Sequence, residues 1–325
     1  MDKLISVVIV TYKRSHLLHG LIQMLDNQDL PPKTVIVVDN DPNFSAKEAV
    51  LSAKPTRSKM KIMYVSNHIN SLPIGRNMGV SFVETEFTCL LDDDVRIQSD
   101  YLKIAQEAML KHSEVIGLQG LIKFEKRSDF KNFVARATGQ FHLTSDRCRV
   151  LKSISTSYPG YYSDSSPLTC EWLSGSNQVY RTSCLLKIKW DENLLAYGDG
   201  EDLDHSYRVH KSMIGKLYLV PQMVVIHDAS EVGRATGYKN ILMREGYSFY
   251  LGHKLFKDKR GFRSTYFFSR LHLILVAVVK LMKSGFSRVE LQNLTNLLRA
   301  LRRVLAHRND LRLGKLVDFN RELNI

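Results

Sequence analysis

The chain has 325 residues, of which 44% are hydrophobic, and a formal net charge of +13; this length is enough for one large or two ordinary domains. Its four cysteines are scattered without a CxxC pair, which argues against a zinc site or a disulfide framework and fits a reducing compartment. The sequence has no run of about 18 apolar residues, so no helix plainly spans a membrane, and the short apolar N-terminal run is more typical of a buried strand than of a signal peptide.

The positive charge is concentrated in the last part of the chain. From Ala229 onwards there are 19 Lys and Arg residues against 7 Asp and Glu residues, a net charge of +12, whereas the first 228 residues carry a net charge of +1. A partner for a basic surface should therefore be sought in the C-terminal part.

The first part of the chain alternates between apolar runs and amphipathic segments. The apolar runs are short and rich in β-branched residues, as in strands that are buried on both faces. They lie at Leu4–Tyr12, Thr34–Val38, Lys61–Asn67 and Phe87–Leu91. Helical spacing of apolar residues after the first run, and again from about Ile74, predicts connecting helices. The pattern predicts an α/β fold with a mostly parallel sheet flanked by helices.

Polar residues follow three of these predicted strands. Thr11, Asp39 and the run Asp92–Asp94 all stand at carboxyl ends, and ligands of such sheets bind beyond those ends. Carboxylates held by a rigid scaffold suit Mg²⁺ or Mn²⁺. The alternative for the aspartate run alone is a solvated acidic turn. The chain lacks GxGxxG after the first strand and lacks GxxxxGK[ST], so neither a standard dinucleotide site nor a P-loop is predicted.

Ordered sequence blocks then carry a resemblance to a known family. These blocks are "SVVIVTYKR", "VIVVDND", "NHINSLPIGRNMGV", "LLDDDV", "WLSGSNQVYRTSCL", "KWDENLLAYGDGEDLDHSYRVHK" and "KLYLVPQMVVIHD". Over roughly residues 4–228 they resemble the family 2 glycosyltransferases of the GT-A fold. The resemblance implies a Rossmann-like GT-A catalytic domain over 1–228 and a basic, mainly helical C-terminal region over 229–325.

The resemblance also implies a donor site. Its expected nucleotide-sugar-binding residues are Thr11, Tyr12, Arg14, Asp39, Arg76, Asp92 and Asp93. Asp39 would accept the N3–H of uracil or thymine, so a UDP-sugar or dTDP-sugar donor is expected. Asp94 and His227 would bind Mn²⁺ or Mg²⁺. The alternative for His227 is a structural role, in which its imidazole makes a hydrogen bond within the protein and binds no metal.

A second group of carboxylates lies in "GDGEDLDHSYR", where Glu201, Asp202 and Asp204 open a predicted helix. Acidic residues in a first helical turn are favoured by the helix dipole alone. The resemblance implies that Asp202 is the general base and that Glu201 binds the acceptor or orients the base. It places Trp172 and Gly175 on the sugar and acceptor side; an ordinary core tryptophan is the alternative for Trp172.

Two further segments carry weaker expectations. Residues 123–168 are rich in charge, Ser and Tyr, which predicts an insertion or a flexible loop over the site. In the tail, Ser264–Lys283 is apolar and Val289–Arg308 is basic and amphipathic. We expect residues 264–308 to contact an anionic membrane surface. The alternative is that these helices pack on each other or form a homodimer surface.

Together these observations predict an inverting, metal-dependent glycosyltransferase that moves a sugar to a hydroxyl of a glycan or lipid-linked acceptor in cell-surface polysaccharide synthesis. It would be cytoplasmic or peripheral on the cytoplasmic membrane face. The rivals are a nucleotidyltransferase, a basic nucleic-acid-binding protein and a non-catalytic transferase domain. Nucleic-acid binding would explain none of the ordered blocks, so no nucleic-acid partner is expected.

Overall fold

The computed structural model describes residues 2–124, 128–228, 230, 232 and 235–323. These residues form one mixed sheet, a small second sheet and helices that cover the main sheet and extend it at the C-terminus. The strands within them are β1 (Ile5–Thr11), β2 (Thr34–Asp39), β3 (Lys61–Ser66), β4 (Phe87–Leu91), β5 (Val95–Ile97), β6 (Val115–Ile122), β7 (His142–Leu143), β8 (Val150–Leu151), β9 (Ser155–Tyr158), β10 (Leu168–Cys170), β11 (Asn177–Arg181) and β12 (Lys216–His227). The helices are α1 (Ser15–Asp26), α2 (Lys47–Ser52), α3 (Leu72–Ser81), α4 (Tyr101–Lys111), α5 (Asp129–Ala137), α6 (Thr182–Lys187), α7 (Glu201–Lys211), α8 (Gly237–Phe256), α9 (Phe262–Lys283), α10 (Arg288–Ala306), α11 (Arg308–Arg312) and α12 (Val317–Leu323).

The main sheet is parallel in its first half and mixed in its second half. Strand order is β10-β12-β6-β11-β4-β1-β2-β3, with β5 paired to β12. The first four strands of the chain pair in parallel, as predicted. The expected burial on both faces is wrong for β3, which is the edge strand and is only partly buried. β11 then runs antiparallel to both β4 and β6. This reversal brings the residues before β11 to the same sheet edge as the residues after β4.

Alternate side chains of the central strands enter two different apolar layers. Val7 and Ile9 of β1 belong to the large core. Val8, between them, packs with Ile36 and Val38 of β2 in a smaller cluster on the opposite face. Successive residues of a strand point to opposite faces, so the continuous apolar run of β1 serves both layers.

Helix α3 lies unusually close to the sheet. Its N-terminus is capped by Ser71, whose Oγ accepts a hydrogen bond from Ile74 N at 3.3 Å. One turn further, a Cβ added at Gly79 would lie 2.4 Å from Val8 Cγ1, a distance that van der Waals contact does not allow. Glycine therefore lets α3 approach β1, and this approach places Arg76 of the same helix at the sheet edge.

The segment 123–168 is folded in its described part. It contains α5 and the small sheet β7-β9-β8. Tyr158 is buried in the core, and its hydroxyl accepts a hydrogen bond from Ile122 N at 2.8 Å. The expectation of a flexible loop is therefore wrong for these residues, while 125–127 lie outside the described part of the chain. Sequence composition failed here because the two- to four-residue strands are too short to show a period.

The C-terminal helices are fastened to the loop that precedes α7. Tyr250 and Lys254 of α8 both donate to Asp191 Oδ2 at 2.6 Å, and Lys254 also contacts Asp204 of α7 at 2.8 Å. Burial would raise the pKa of Asp191, but the Lys254 ammonium and the Tyr250 hydroxyl lower it to about 2. Helix α8 thus supports the loop that leads into Glu201. The domain boundary at 228/229 stays a prediction, and Ala229 lies outside the described residues.

The last long helices bury only part of their apolar surface. α10 packs through Leu297, Ala300 and Val304, while Leu298 and Leu305 of the same helix are exposed. α9 and α10 contact each other, and α10 also packs on α8. One apolar face of α9 is left uncovered by the described residues.

Candidate active site

The first feature of the site is the contact between the ends of β1 and β4. Thr11, the last residue of β1, donates from Oγ1 to Asp93 Oδ2 at 2.7 Å. Asp92 N, directly after β4, donates to Ser176 O at 3.2 Å, just before β11 begins. The predicted convergence of Thr11 and the aspartate run at one edge is confirmed, because parallel neighbours end at the same edge of a sheet.

The three aspartates after β4 point to different partners. Asp92 lies 3.2 Å from Arg76 Nη2. Asp93 accepts from Arg14 Nη1 at 2.9 Å, in addition to Thr11. Asp94 has the largest set of partners: His227 Nε2 at 3.1 Å, Arg14 Nη1 at 3.3 Å and Ser230 N at 2.8 Å. The carboxylates therefore have separate structural tasks.

Asp92, Asp94 and His227 form a candidate metal cluster. Their ligand atoms all lie within 4.8 Å of one another. Two carboxylate oxygens and one imidazole nitrogen suit Mn²⁺ or Mg²⁺, with the remaining positions left for phosphate oxygens and water. Burial raises the pKa of Asp92 to about 6, an effect that Arg76 opposes and the Asp94 charge increases. A bound cation would relieve this cost by favouring the ionised carboxyl. The sequence predicted Asp94 and His227 as ligands, and the structure adds Asp92.

Arg76 connects the aspartate cluster with α7. Its buried guanidinium contacts Asp92 at 3.2 Å, Glu201 Oε1 at 2.5 Å and the carbonyl oxygen of Gly175 at 2.8 Å. The strand end after β4, the turn before β11 and the start of α7 therefore meet at one side chain. Arg76 is held rigidly by these partners, so its positive charge stays at the edge of the cavity.

The start of α7 brings the second group of carboxylates to the same place. Asp202 Oδ2 accepts from Gly175 N at 2.9 Å. Burial raises the pKa of Glu201 to about 8 against the opposing effect of Arg76, and Glu201 Oε2 has no hydrogen-bond partner among the described residues. Glu201 therefore orients Arg76. Asp202, the next residue after Glu201, supplies the second carboxylate of this pair. Both line a cavity of about 180 Å³ that Asp92 and His227 also line.

A second cavity adjoins the first. The two share Leu72, Asp92 and Tyr197 as lining residues. The second cavity is also lined by Thr11, Tyr12, Arg14, Asn40, Asn70 and Asp93. Arg14 reaches across it, donating from Nε to Val232 O at 2.7 Å and from Nη2 to Ser230 O at 2.9 Å. The two cavities together make one elongated site along the sheet edge.

Asp39 is a correction to the sequence analysis. Its side chain is fully buried behind the cavity, with one oxygen accepting from Asp41 N at 3.0 Å and the other from Ala46 N at 2.9 Å and the Tyr64 hydroxyl at 3.2 Å. These bonds hold the turn after β2, so the carboxylate is not presented to a base. Asn40, the next residue, lines the cavity instead. Sequence reasoning missed it because a strand end does not reveal which of two adjacent polar residues points outward.

Trp172 is a second correction. Its ring is buried and packs edge-on against Tyr158, and its Nε1 donates to Ser157 O at 3.1 Å. The side chain therefore belongs to the core, which is the alternative that the sequence left open. Gly175, by contrast, does line the cavity, and its backbone N–H and carbonyl groups hold Asp202 and Arg76.

Tyr197 and Asp199 were not singled out from the sequence, although both stand within "AYGDGED" beside Glu201 and Asp202. Tyr197 lines both cavities, and Asp199 lines the one that contains Asp202. Burial raises the pKa of Asp199 to about 6, with Arg244 opposing this shift. Proximity to the carboxylate pair was the signal that could have identified them.

Comparisons with known proteins point to one class of enzyme. Residues 6–160 match the model of glycosyl transferase family 2. The chain is 29% identical over 118 residues, 36% of its length, to the GalNAc(5)-diNAcBac-PP-undecaprenol beta-1,3-glucosyltransferase of Campylobacter jejuni. The match covers 38% of the length of that curated relative.

Two solved structures share the fold. One is the mannosyltransferase PcManGT from Pyrobaculum calidifontis in complex with GDP-Man and Mn²⁺, with a TM-score of 0.55, 14% identity and coverage of 95% of this chain and 87% of that one. The other is GalNAc-T7 with UDP, GalNAc and Mn²⁺, with a TM-score of 0.53, 14% identity and coverage of 81% and 54%. These likenesses confirm the predicted α/β GT-A fold.

Proposed function

We propose that this chain, whose residues 6–160 match the model of glycosyl transferase family 2, transfers a sugar from a nucleoside-diphosphate sugar to a hydroxyl group of a glycan or lipid-linked acceptor, with inversion at the anomeric carbon. One observation carries this proposal. The cavity that holds the carboxylate of Asp202 also holds Asp92 and His227 of the candidate metal cluster. A base for the acceptor and an anchor for the leaving diphosphate thus face the same space.

The residues divide the chemistry between them. Asp202 accepts the proton of the acceptor hydroxyl, whose oxygen attacks the anomeric carbon from the face opposite the diphosphate. The new C–O bond forms as the bond to the phosphate oxygen breaks, and the nucleoside diphosphate departs. Asp92, Asp94 and His227 would hold Mn²⁺ or Mg²⁺, which supplies positive charge to the leaving diphosphate when bound. Arg76 keeps Asp92 and Glu201 in place and adds positive charge at the same edge.

The donor is proposed to be a UDP-sugar or dTDP-sugar, now through Asn40. The carboxamide oxygen of Asn40 can accept the N3–H of uracil or thymine because a carbonyl oxygen has two lone pairs. One of these already accepts from Asn67 Nδ2 at 2.8 Å. Thr11, Tyr12, Arg14 and Asp93 line the same cavity and would contact the remainder of the nucleotide.

A donor screen tests the proposed function. The protein is heated with UDP-, dTDP- and GDP-sugars, each with Mn²⁺ or with EDTA, and its melting temperature is recorded. We expect one uridine or thymidine nucleotide sugar to raise the Tm in the presence of metal but not in EDTA. A ligand that binds the native state and not the unfolded state stabilises the native state. The hit should then release a nucleoside diphosphate during transfer. No response to any donor, or release of pyrophosphate, would contradict a glycosyltransferase.

The protein is further proposed to lie on the cytoplasmic face of a membrane. Within the described residues, α9 is the one helix that meets the length and apolarity expected of a membrane span, with a mean hydropathy of 1.5 over its most apolar stretch of 18 residues. Only 11% of that stretch is buried. Phe268 and Leu275 are among its exposed residues. Arg270 is bound inside the protein to Glu245, which favours a helix lying on the surface over one crossing it.

Leu275→Glu should weaken binding to phosphatidylglycerol vesicles by about tenfold or more, since burying a leucine contributes about 1.5–3 kcal/mol. Co-sedimentation measures this binding. Leu51→Glu is the matched control, because Leu51 is an equally apolar exposed residue on α2. Equal binding by both variants would contradict the membrane role of α9, and a loss of dimers in light scattering would assign its face to self-association instead.

A further inference from the structure

A large cavity lies between the C-terminal helices, away from the aspartate cluster. It has a volume of about 540 Å³, within the usual range of ligand pockets. Its floor is apolar and includes Phe262, Phe267, Ile274, Leu298 and Leu301. The aliphatic and aromatic side chains that line it make this a site for a chain of apolar carbons.

Four arginines surround this apolar floor. They are Arg263, Arg270, Arg302 and Arg312, and the described residues that line the cavity include no carboxylate. Arg312 is held by His253, with its Nε 3.2 Å from His253 Nε2. Arg263 and Arg302 are exposed at the surface. Arg270 is paired with Glu245 behind the cavity, so the charge available at the rim is that of Arg263, Arg302 and Arg312. An apolar cavity with this cationic rim fits an amphipathic ligand that has an anionic head group, such as a lipid phosphate or diphosphate.

A small polar cavity connects this site with Asp202. Arg270 lines both the apolar cavity and a polar cavity of about 180 Å³. Asp199 and Gly200 line the polar cavity and also the cavity that contains Asp202. The three spaces therefore adjoin in series, and α8, α9 and the loop before α7 form the walls between them.

The polar cavity has the lining of a saccharide site. Amide, hydroxyl and carboxylate groups of Gln140, Ser155, Asp199 and Glu245 face it, together with Arg244. Glu245 lies 3.3 Å from Arg244 Nε and 3.0 Å from Arg270 Nε, so its charge is balanced and fixes both guanidinium groups. Such groups can bond to several sugar hydroxyls at once, whereas they offer little to an apolar chain.

From this order of cavities we infer the class of acceptor: a short saccharide joined through a phosphate or diphosphate to a polyprenyl-like lipid. The lipid lies on the apolar floor, the phosphate contacts Arg263 and Arg302, and the saccharide passes through the polar cavity to present a hydroxyl to Asp202. This inference rests on the proposed function, because it assigns the acceptor of that same reaction. The acceptor would be the product of an earlier step that joins a first sugar to a lipid phosphate.

Geranylgeranyl diphosphate serves as the probe, because it carries a diphosphate and an isoprenoid chain but no sugar. Its binding to the full chain is measured by calorimetry in EDTA, so that it cannot bind through a metal at the donor site. We expect saturable binding that the Arg263→Ala, Arg302→Ala double variant weakens at least tenfold. The Arg288→Ala, Arg308→Ala double variant is the matched control, since it removes the same charge at exposed arginines outside the cavity, and it should bind within about twofold of the parent.

A second pair of variants tests the apolar floor. Leu298→Gln should weaken binding of the probe several-fold, whereas Leu291→Gln should not, because both leucines are exposed on α10 and only Leu298 lines the cavity. Inorganic pyrophosphate and geranylgeraniol should each bind more weakly than the probe, since each offers half of the contacts.

Several results would overturn the inference. The first is no binding of the probe, and the second is an equal loss of probe binding in both double-arginine variants. The third is a loss of probe binding in Asp94→Asn, which would place the probe at the donor site. If phosphatidylglycerol vesicles but not the probe depend on Arg263 and Arg302, the cavity belongs to bulk membrane lipid. Donor stabilisation by nucleotide sugar and Mn²⁺ is measured in parallel. Its absence in the parent would refute the proposed transfer reaction, whereas its presence without probe binding would refute the acceptor assignment alone.

Discussion

Asp202→Asn is expected to lower kcat roughly 1,000-fold, in the middle of the range of about 10²–10⁴ for loss of a general base, with little change in the affinity for the donor. Asparagine has the same shape, and its carboxamide oxygen can still accept the hydrogen bond from Gly175 N that Asp202 accepts at 2.9 Å. What it loses is the ability to take a proton. Single-turnover transfer separates this chemical step from donor binding.

The control for this variant is Glu192→Gln, which removes an exposed carboxylate from the loop before α7 that bonds only to Asn77 among the described residues. It should transfer at nearly the parental rate. Donor stabilisation should be the same in the parent and in both variants. Near-parental transfer by Asp202→Asn would mean that another group accepts the proton, and Asp199, which lines the same cavity, would be the next residue to test.

Asp94→Asn is expected to weaken binding of Mn²⁺ by on the order of 100-fold or more, since even changes to groups behind a metal ligand cost about 10–100-fold. Asparagine has nearly the volume of aspartate, and its amide oxygen can still accept the hydrogen bond from Ser230 N, which lies 2.8 Å from Asp94 Oδ2. It removes the negative charge beside His227 Nε2. Titration of Mn²⁺ by calorimetry in the presence of the donor measures the effect.

Asp228→Asn is the matched control, because this exposed carboxylate neighbours His227 in sequence but pairs with Arg96 at the surface. Its Mn²⁺ affinity should stay within about twofold of the parent, the small effect usual for an exposed ion pair. The metal assignment would fail if both variants bound Mn²⁺ as the parent does. A loss of the metal-dependent rise in Tm in Asp94→Asn alone would support it.

Much of the site was predictable because it depends on strand ends. The buried runs of β1 and β4 had to pair within a sheet, and parallel pairing carries Thr11 and Asp92–Asp94 to one edge. The same logic holds for His227, since β12 ends beside the loop after β4. The family resemblance then added Arg76 and Asp202, whose convergence no local pattern could predict.

The direction of individual side chains was not predictable from local sequence. Asp39 and Asn40 are adjacent polar residues at one strand end, and only the turn that Asp39 holds decides that Asn40 faces the cavity. Trp172 is similarly decided by Tyr158, which comes from the segment taken for a flexible loop. Such outcomes depend on contacts between residues that are distant along the chain.

Periodicity, strand ends and composition are local properties, and they were enough to predict the α/β class, the edge at which the polar residues gather and the concentration of positive charge in the tail. Only the folded chain shows which carboxylates meet Arg76, which face of α9 stays uncovered and how three cavities adjoin between Asp202 and Arg302. These features arise between elements. They depend on packing distance, such as the close approach at Gly79, and not on the residues of any one element.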